Sequence, residues 1–217
     1  RQGSLVELMA KAGCWQIFIG AESFDRATLL AHGKSQNNPE KYGEILRLFR
    51  EYKILAHFSN MIGFENQTEK DILEHLDKLL CIGPEVASFY ILTPVPGTPD
   101  CELFLDNDLI TQPANLDRFD GTWCVWEHPH IAKERLRELE FYCYQKFFEF
   151  RRTCRTICQR LETKMPLVQR ILESGYLFYA LAASHFNQHP MSGGIVSRRI
   201  DSVKDYIHLR KKYFDVE

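Results

Sequence analysis

Hydrophobic positions along the first 127 residues alternate between two periods. Leu5, Leu8, Met9 and Ala12 share one helical face, and Gly13 follows where helices commonly end in a left-handed turn. "WQIFIG" (15–20) then runs apolar without interruption and predicts a buried strand. From 39 to 52 the helical period returns: Pro39 suits a first turn, and Tyr42, Ile45, Leu46, Phe49 and Tyr52 form a stripe. "ILAHFSNMIG" (54–63) reads as the next strand. Thr68 is positioned to cap a helix whose core face is Ile72, Leu73, Leu76, Leu79 and Leu80. "VASFYIL" (86–92) is a third strand, and it runs directly into "TPVPGTP", where three prolines and a glycine forbid its continuation.

Strand and amphipathic helix alternate at roughly 30–40 residues per unit, the spacing of βαβ crossovers. The expected class is α/β: the C-terminal half of a partial parallel βα barrel, followed by a helical C-terminal appendage. After a short helix near 99–107, "TWCVWEHPH" (122–130) suggests an edge strand and loop. Residues 131–163 carry one long helical pattern, Pro166 opens another to about Ala183, "SGG" (192–194) reads as a loop, and a charged helix spans about 201–213. The predicted division is 1–127 for the barrel strands and 128–217 for the helical region.

Composition narrows this little. The chain is 45% hydrophobic and 26% charged, ordinary for a globular protein. Its formal net charge of −2 gives the whole molecule no bias toward nucleic acid or anionic membrane. No run approaches the ~18 apolar residues of a spanning helix, so no transmembrane segment is expected. Seven scattered cysteines, with no signal-type leader before them, favour a reducing, cytoplasmic setting. A start at Arg1-Gln2-Gly3 without methionine suggests a piece of a longer protein.

In parallel α/β sheets, ligands lie at the carboxyl ends of the strands. All three predicted ends carry polar or glycine-containing sequence: "GAES" (20–23), "SNMIGFEN" (59–66) and "TPVPGTP" (93–99). The stretches "AGCWQIFIGAESFDRATLLAHGK", "MIGFENQT" and "FYILTPVPGTP", in this order and spacing, resemble the later strands of radical SAM enzymes. The likeness is greatest to the branch with an upstream cobalamin-binding domain, which includes anaerobic methylases and cyclases of tetrapyrroles and polyprenoid lipids. It covers roughly residues 1–125.

The resemblance implies an enzyme that cleaves S-adenosylmethionine to a 5′-deoxyadenosyl radical at a [4Fe-4S] cluster, for methylation or oxidative cyclisation of a carbon substrate. It also implies cobalamin bound through an upstream domain, a small-molecule, lipid or tetrapyrrole-like substrate, and a reductant such as flavodoxin or ferredoxin. The cluster loop CxxxCxxC is not found here. "CRTIC" (Cys154 to Cys158) lacks the third cysteine, because Leu161 stands there, so the loop is expected upstream of Arg1, no metal ligand is assigned to this chain, and the chain alone is expected to be inactive.

Carried over residue by residue, Glu22 reaches the ribose or the methionyl ammonium, and Lys34 pairs with the methionyl carboxylate. Ser59 bonds the ribose. Met61, Ile62 and Gly63 flank the adenine, with Gly63 allowing close backbone approach. Leu92, Thr93 and Pro94 present backbone groups to the adenine and fix the chain's exit. The segment departs from the family's GxIxGxxE pattern: Ser59 replaces the first glycine, Met61 the isoleucine and Asn66 the glutamate.

Other constellations have simpler readings. Ser23 suits a cap for a helix starting near Asp25. His128-Pro129-His130 and the pair His185/His189 lack the further ligands of a metal site. Phe141, Tyr144, Phe147 and Phe148 read as packing between helix and barrel, and Arg151, Arg152 and Arg155 as a solvated face. Against the enzyme stands a non-catalytic scaffold that keeps the barrel. A barrel enzyme of phosphate chemistry is the weaker competitor, because no glycine-rich phosphate loop is present.

Overall fold

The computed structural model describes residues 2–162, 165–191 and 202–214. Helix α1 (Gln2–Lys11) leads through Gly13, at φ +88°, into strand β1 (Gln16–Glu22). Helix α2 (Arg26–Ala31) follows, then a 3-10 turn (Pro39–Lys41) and α3 (Tyr42–Glu51). Strand β2 (Leu55–Ile62), α4 (Glu69–Ile82) and β3 (Val86–Ile91) complete the alternation. The strands form a parallel sheet in the order β1-β2-β3. This is the α/β architecture read from the sequence, consistent with part of a radical SAM-type barrel.

Local signals account for most boundaries. Thr68 and Asp71 form a reciprocal capping box on α4, which ends at Gly83 in the left-handed conformation. Ser23 is not the cap of α2: the Asp25 carboxylate accepts the Thr28 N–H at 2.8 Å, and the Ser23 hydroxyl accepts the Asp25 N–H. The buried side of α1 is also not the expected one. Val6 is buried and Met9 packs on the core, whereas Leu5 and Leu8 are exposed.

Helix α5 (Pro99–Asp106) is capped by Thr98 with Pro99 in its first turn. The expected edge strand at 122–130 reduces to a single bridge between Ile110 and Trp126. The long pattern over 131–163 is two helices, α6 (Lys133–Phe147) and α7 (Phe150–Leu161). Phe147 and Phe148 are both fully buried. Neighbours on one helix point about 100° apart, so a break at Phe148–Glu149 lets both rings enter the core. Helix α8 (Leu167–His185) and α9 (Val203–Phe214) follow; the 192–194 loop lies outside the described residues.

One hydrophobic core joins the sheet to the later helices, with Phe58 and Phe89 of the strands packed among Leu136, Tyr144, Phe147 and Leu177. The outer edge of β3 is sealed by side chains. The Tyr144 hydroxyl accepts the Phe89 N–H at 2.9 Å and donates to its C=O at 3.0 Å. His189 Nε2 lies 2.9 Å from the same carbonyl, and the Ile91 N–H donates to the Gly121 C=O. Edge groups left unpaired in a buried position are costly. Tyr144→Phe is therefore expected to cost about 1–3 kcal/mol in chemical denaturation, because the buried Phe89 N–H loses its acceptor.

Candidate functional site

The carboxyl end of β1 is built around a backbone irregularity. Register shifts between Gly20 and Glu22, and Glu22 adopts φ +62°, a conformation that costs a non-glycine residue on the order of 1 kcal/mol or more. Asn37 Nδ2 donates to the Gly20 and Ala21 carbonyls at 2.8 and 3.1 Å, and the buried Tyr42 hydroxyl donates to the latter at 2.8 Å. Burial, and secondarily the Glu22 charge, pushes the Tyr42 phenol up to about 12. So held, the Glu22 carboxylate lies back over residue 20, where an added Cβ would meet its Oε1 at 2.9 Å. A larger residue at 20 would have to displace the end of the Glu22 side chain.

Lys34 reaches the same place from the loop after α2. Its N–H bonds the Leu29 C=O, and Arg26 holds the loop through the Ser35 and Asn37 carbonyls. Lys34 Nζ then stands 3.6 Å from Glu22 Oε1, with the lysine half-exposed. Next to it, His32 bridges to the loop after β2, 3.2 Å from Glu65 and with its ring 4.7 Å from that of Phe64.

The loop after β2 is fixed from two sides. Gln67 Oε1 accepts the Gly63 and Phe64 N–H groups at 2.9 and 3.2 Å, and His128 Nε2 lies 2.9 Å from the Phe64 C=O. Gly63 sits at φ +75°, where an added Cβ would meet Leu136 Cδ2 at 3.1 Å. The close approach at Gly63 is thus to helix α6.

Ser59 and Met61 are partly exposed, whereas Asn60 and Ile62 between them are buried. Strand alternation therefore divides the predicted set: Ser59 and Met61 share the open face, and the Ile62 side chain enters the core. The Leu92 backbone is engaged within the protein, its N–H with the Ile62 C=O at 2.8 Å and its C=O with Trp126 Nε1 at 2.9 Å. The Thr93 hydroxyl donates to the Ile91 C=O, and Pro94 is buried.

Three residues not selected from the sequence lie on the same side of the sheet: Tyr90, partly exposed, and His57 and Ser88, both buried. Ser59 stands in register between Gly20 and Ser88, and Met61 is level with Tyr90. His57 Nε2 lies 3.0 Å from Ser88 Oγ under the ring of Phe18, which is 57% exposed. Burial lowers the His57 pKa to about 4, so the imidazole is neutral at pH 7. Counting by two from Ser59 would have found His57, and the register then adds Ser88 and Tyr90.

The minor constellations are structural. His128 Nδ1 accepts the His130 and Ile131 N–H groups, and His185 Nδ1 lies 2.9 Å from the carbonyl of Leu181 in its own helix. Arg152 does not belong to a solvated face: its guanidinium stacks 3.7 Å from the Phe147 ring centroid and bonds the Phe147 and Pro84 carbonyls. Cys154 is partly buried and Cys158 exposed on α7. Among the described residues no group of three or more His, Cys, Asp or Glu side chains could hold a metal ion. Nor is any described helix long and apolar enough to cross a membrane.

A family model described as the radical SAM superfamily matches residues 3–79, which contain β1, β2 and the Glu22–Lys34 pair. That stretch is about a third of the chain, and over it the chain is similar to this superfamily. It is 27% identical over 134 residues to a bacteriochlorophyllide d C-12(1)-methyltransferase of Chlorobaculum tepidum, a match covering 62% of this chain and 29% of that protein. It is 24% identical over 144 residues to an uncharacterised methyltransferase of Pyrococcus horikoshii, covering 66% of this chain and 31% of that one. The matched part thus spans less than a third of either relative.

Proposed function

We propose that this radical SAM chain forms the S-adenosylmethionine-facing later strands of a cytoplasmic enzyme that methylates or cyclises a carbon substrate. The Glu22–Lys34 pair is the observation that carries the reading. A carboxylate and an ammonium 3.6 Å apart at a strand's carboxyl end present the charges that a zwitterionic amino-acid group needs. Glu22 takes the methionyl ammonium or the ribose, and Lys34 the methionyl carboxylate. Ser59 takes the ribose, Met61 and the 62–63 backbone flank the adenine, and 92–94 close the wall.

When bound, the cluster and S-adenosylmethionine supply reductive cleavage of the sulfonium to a 5′-deoxyadenosyl radical. The described cysteines do not fit a cluster, so no residue of this chain is assigned to it. We place the cluster ligands and a cobalamin domain upstream, with the missing strands pairing on the free side of β1. Among the described residues β1 pairs with β2 alone, and Leu5, Leu8, Trp15 and Phe18 are exposed. Residues 128–217 form the helical region of this arrangement. The methyltransferase names of both relatives favour methylation. The bacteriochlorophyllide substrate of the Chlorobaculum tepidum relative supports a tetrapyrrole-like acceptor, and the electron comes from a flavodoxin- or ferredoxin-type donor.

The test uses the full-length protein, reconstituted anaerobically with iron and sulfide and reduced with dithionite. Mass spectrometry is expected to find 5′-deoxyadenosine that depends on S-adenosylmethionine. A protein with neither cluster nor product would instead be a scaffold that retains the barrel.

A further inference from the structure

Helix α8 buries Leu177, Ala180 and Ala183, yet it is apolar on its exposed face as well. Between residues 167 and 182 every exposed position is apolar: Leu167, Val168, Ile171, Leu172, Gly175, Phe178 and Ala182. Leu167, Val168, Ile171 and Leu172 are 59–68% exposed, and Phe186, just beyond the helix, reaches 77%. The charged Glu173 is buried, bonded to Arg160 of α7 at 2.7 Å. The exposed positions recur every three or four residues, so they form one stripe about 22 Å long. A contiguous apolar stripe of this kind marks an interaction surface.

Charge identifies the partner. Residues 150–217 carry 12 Lys and Arg against 6 Asp and Glu, whereas residues 1–149 carry 15 against 23. The net charge of −2 hides this division. On α7, packed beside α8, Arg151 and Arg155 are exposed next to Phe150, and Leu161 is exposed at the helix's other end. A second copy docking face to face would bring two cationic regions together, whereas a surface of acidic lipid offers both the apolar medium and the countercharge. Helix α8 also buries its other face against α6 and α7, so it is built to lie on a bilayer and not to cross one.

We propose that the α7–α8 hairpin is a docking surface for an anionic lipid bilayer, with the α8 stripe in the headgroup–acyl boundary. This does not depend on the catalytic reading. The intact full-length protein is floated with phosphatidylcholine vesicles and with vesicles also containing phosphatidylglycerol. Flotation is expected with the acidic vesicles alone and is lost at high salt. Ile171→Glu with Leu172→Glu removes it while circular dichroism stays unchanged, since both side chains are exposed. Arg151→Gln with Arg155→Gln weakens vesicle affinity by about fivefold for each cation removed.

Absence of flotation with acidic vesicles, or equal flotation with neutral ones, overturns the proposal. So does a dimer in sedimentation analysis that the Ile171→Glu, Leu172→Glu variant dissolves, because the stripe then belongs to a second copy.

Discussion

In the full-length protein, Glu22→Ala is expected to weaken S-adenosylmethionine binding by about ten- to a hundredfold, the range for losing a charge-assisted hydrogen bond. Titration calorimetry reads the affinity, and iron content is expected to stay unchanged. Ser59→Ala acts in the same direction by roughly three- to tenfold, as suits a neutral hydroxyl. A structural role for Glu22 gives a different pattern. Its carboxylate touches Gly20 and pairs with Lys34, so a residue serving only those contacts would alter stability and leave affinity intact. Glu22→Gln keeps the side chain's shape over Gly20 and removes its charge, so a loss of affinity there comes from the charge and not from the shape. Unchanged affinity in both Glu22→Ala and Ser59→Ala would remove these residues from the site.

The second large effect lies far from the strand ends. Arg160 and Glu173 are 5% and 3% exposed and are joined by two bonds, Nε to Oε2 at 2.7 Å and an Nη to Oε1 at 3.0 Å. Gln169 Nε2 adds a third donor to the carboxylate at 2.9 Å. Such a pair adds little net stability, because desolvation offsets much of its attraction, yet breaking it strands a buried charge. Arg160→Leu is expected to destabilise by about 3–5 kcal/mol in urea denaturation. The double variant Arg160→Leu, Glu173→Leu recovers most of that loss, since neither charge is then left alone. Equal losses in the single and double variants would mean that the guanidinium's packing, not its charge pairing, holds α7 to α8.

The elements most legible in the sequence were those whose signals are local. The capping box at Thr68, the left-handed stop at Gly83 and the proline opening α5 each follow from residues within a few positions of the boundary. The three strands were found for the same reason, as short apolar runs closed by glycine or proline. Where the reading failed, two distant segments compete for the same space. The break between α6 and α7 exists because both Phe147 and Phe148 find room in the core, which no helical period announces. Arg152 left the solvated face because Phe147 and Pro84 offer it a ring and carbonyls.

The candidate site divides in the same way. The sequence by itself determined that polar and glycine-containing stretches stand at the ends of three strands, with Glu22 and Ser59 among them, and marked Lys34 in the loop that follows α2. Only the tertiary structure decided that Lys34 reaches Glu22, because Asn37 and Arg26 fold an exposed loop back over β1. It likewise sent Ile62 into the core and gathered His57, Ser88 and Tyr90 beside Ser59, since register between parallel strands joins residues some thirty positions apart. Composition could not have shown the exposed stripe of α8 either. The helix is rich in apolar residues all round, and only its packing against α6 and α7 decides which of them stay exposed.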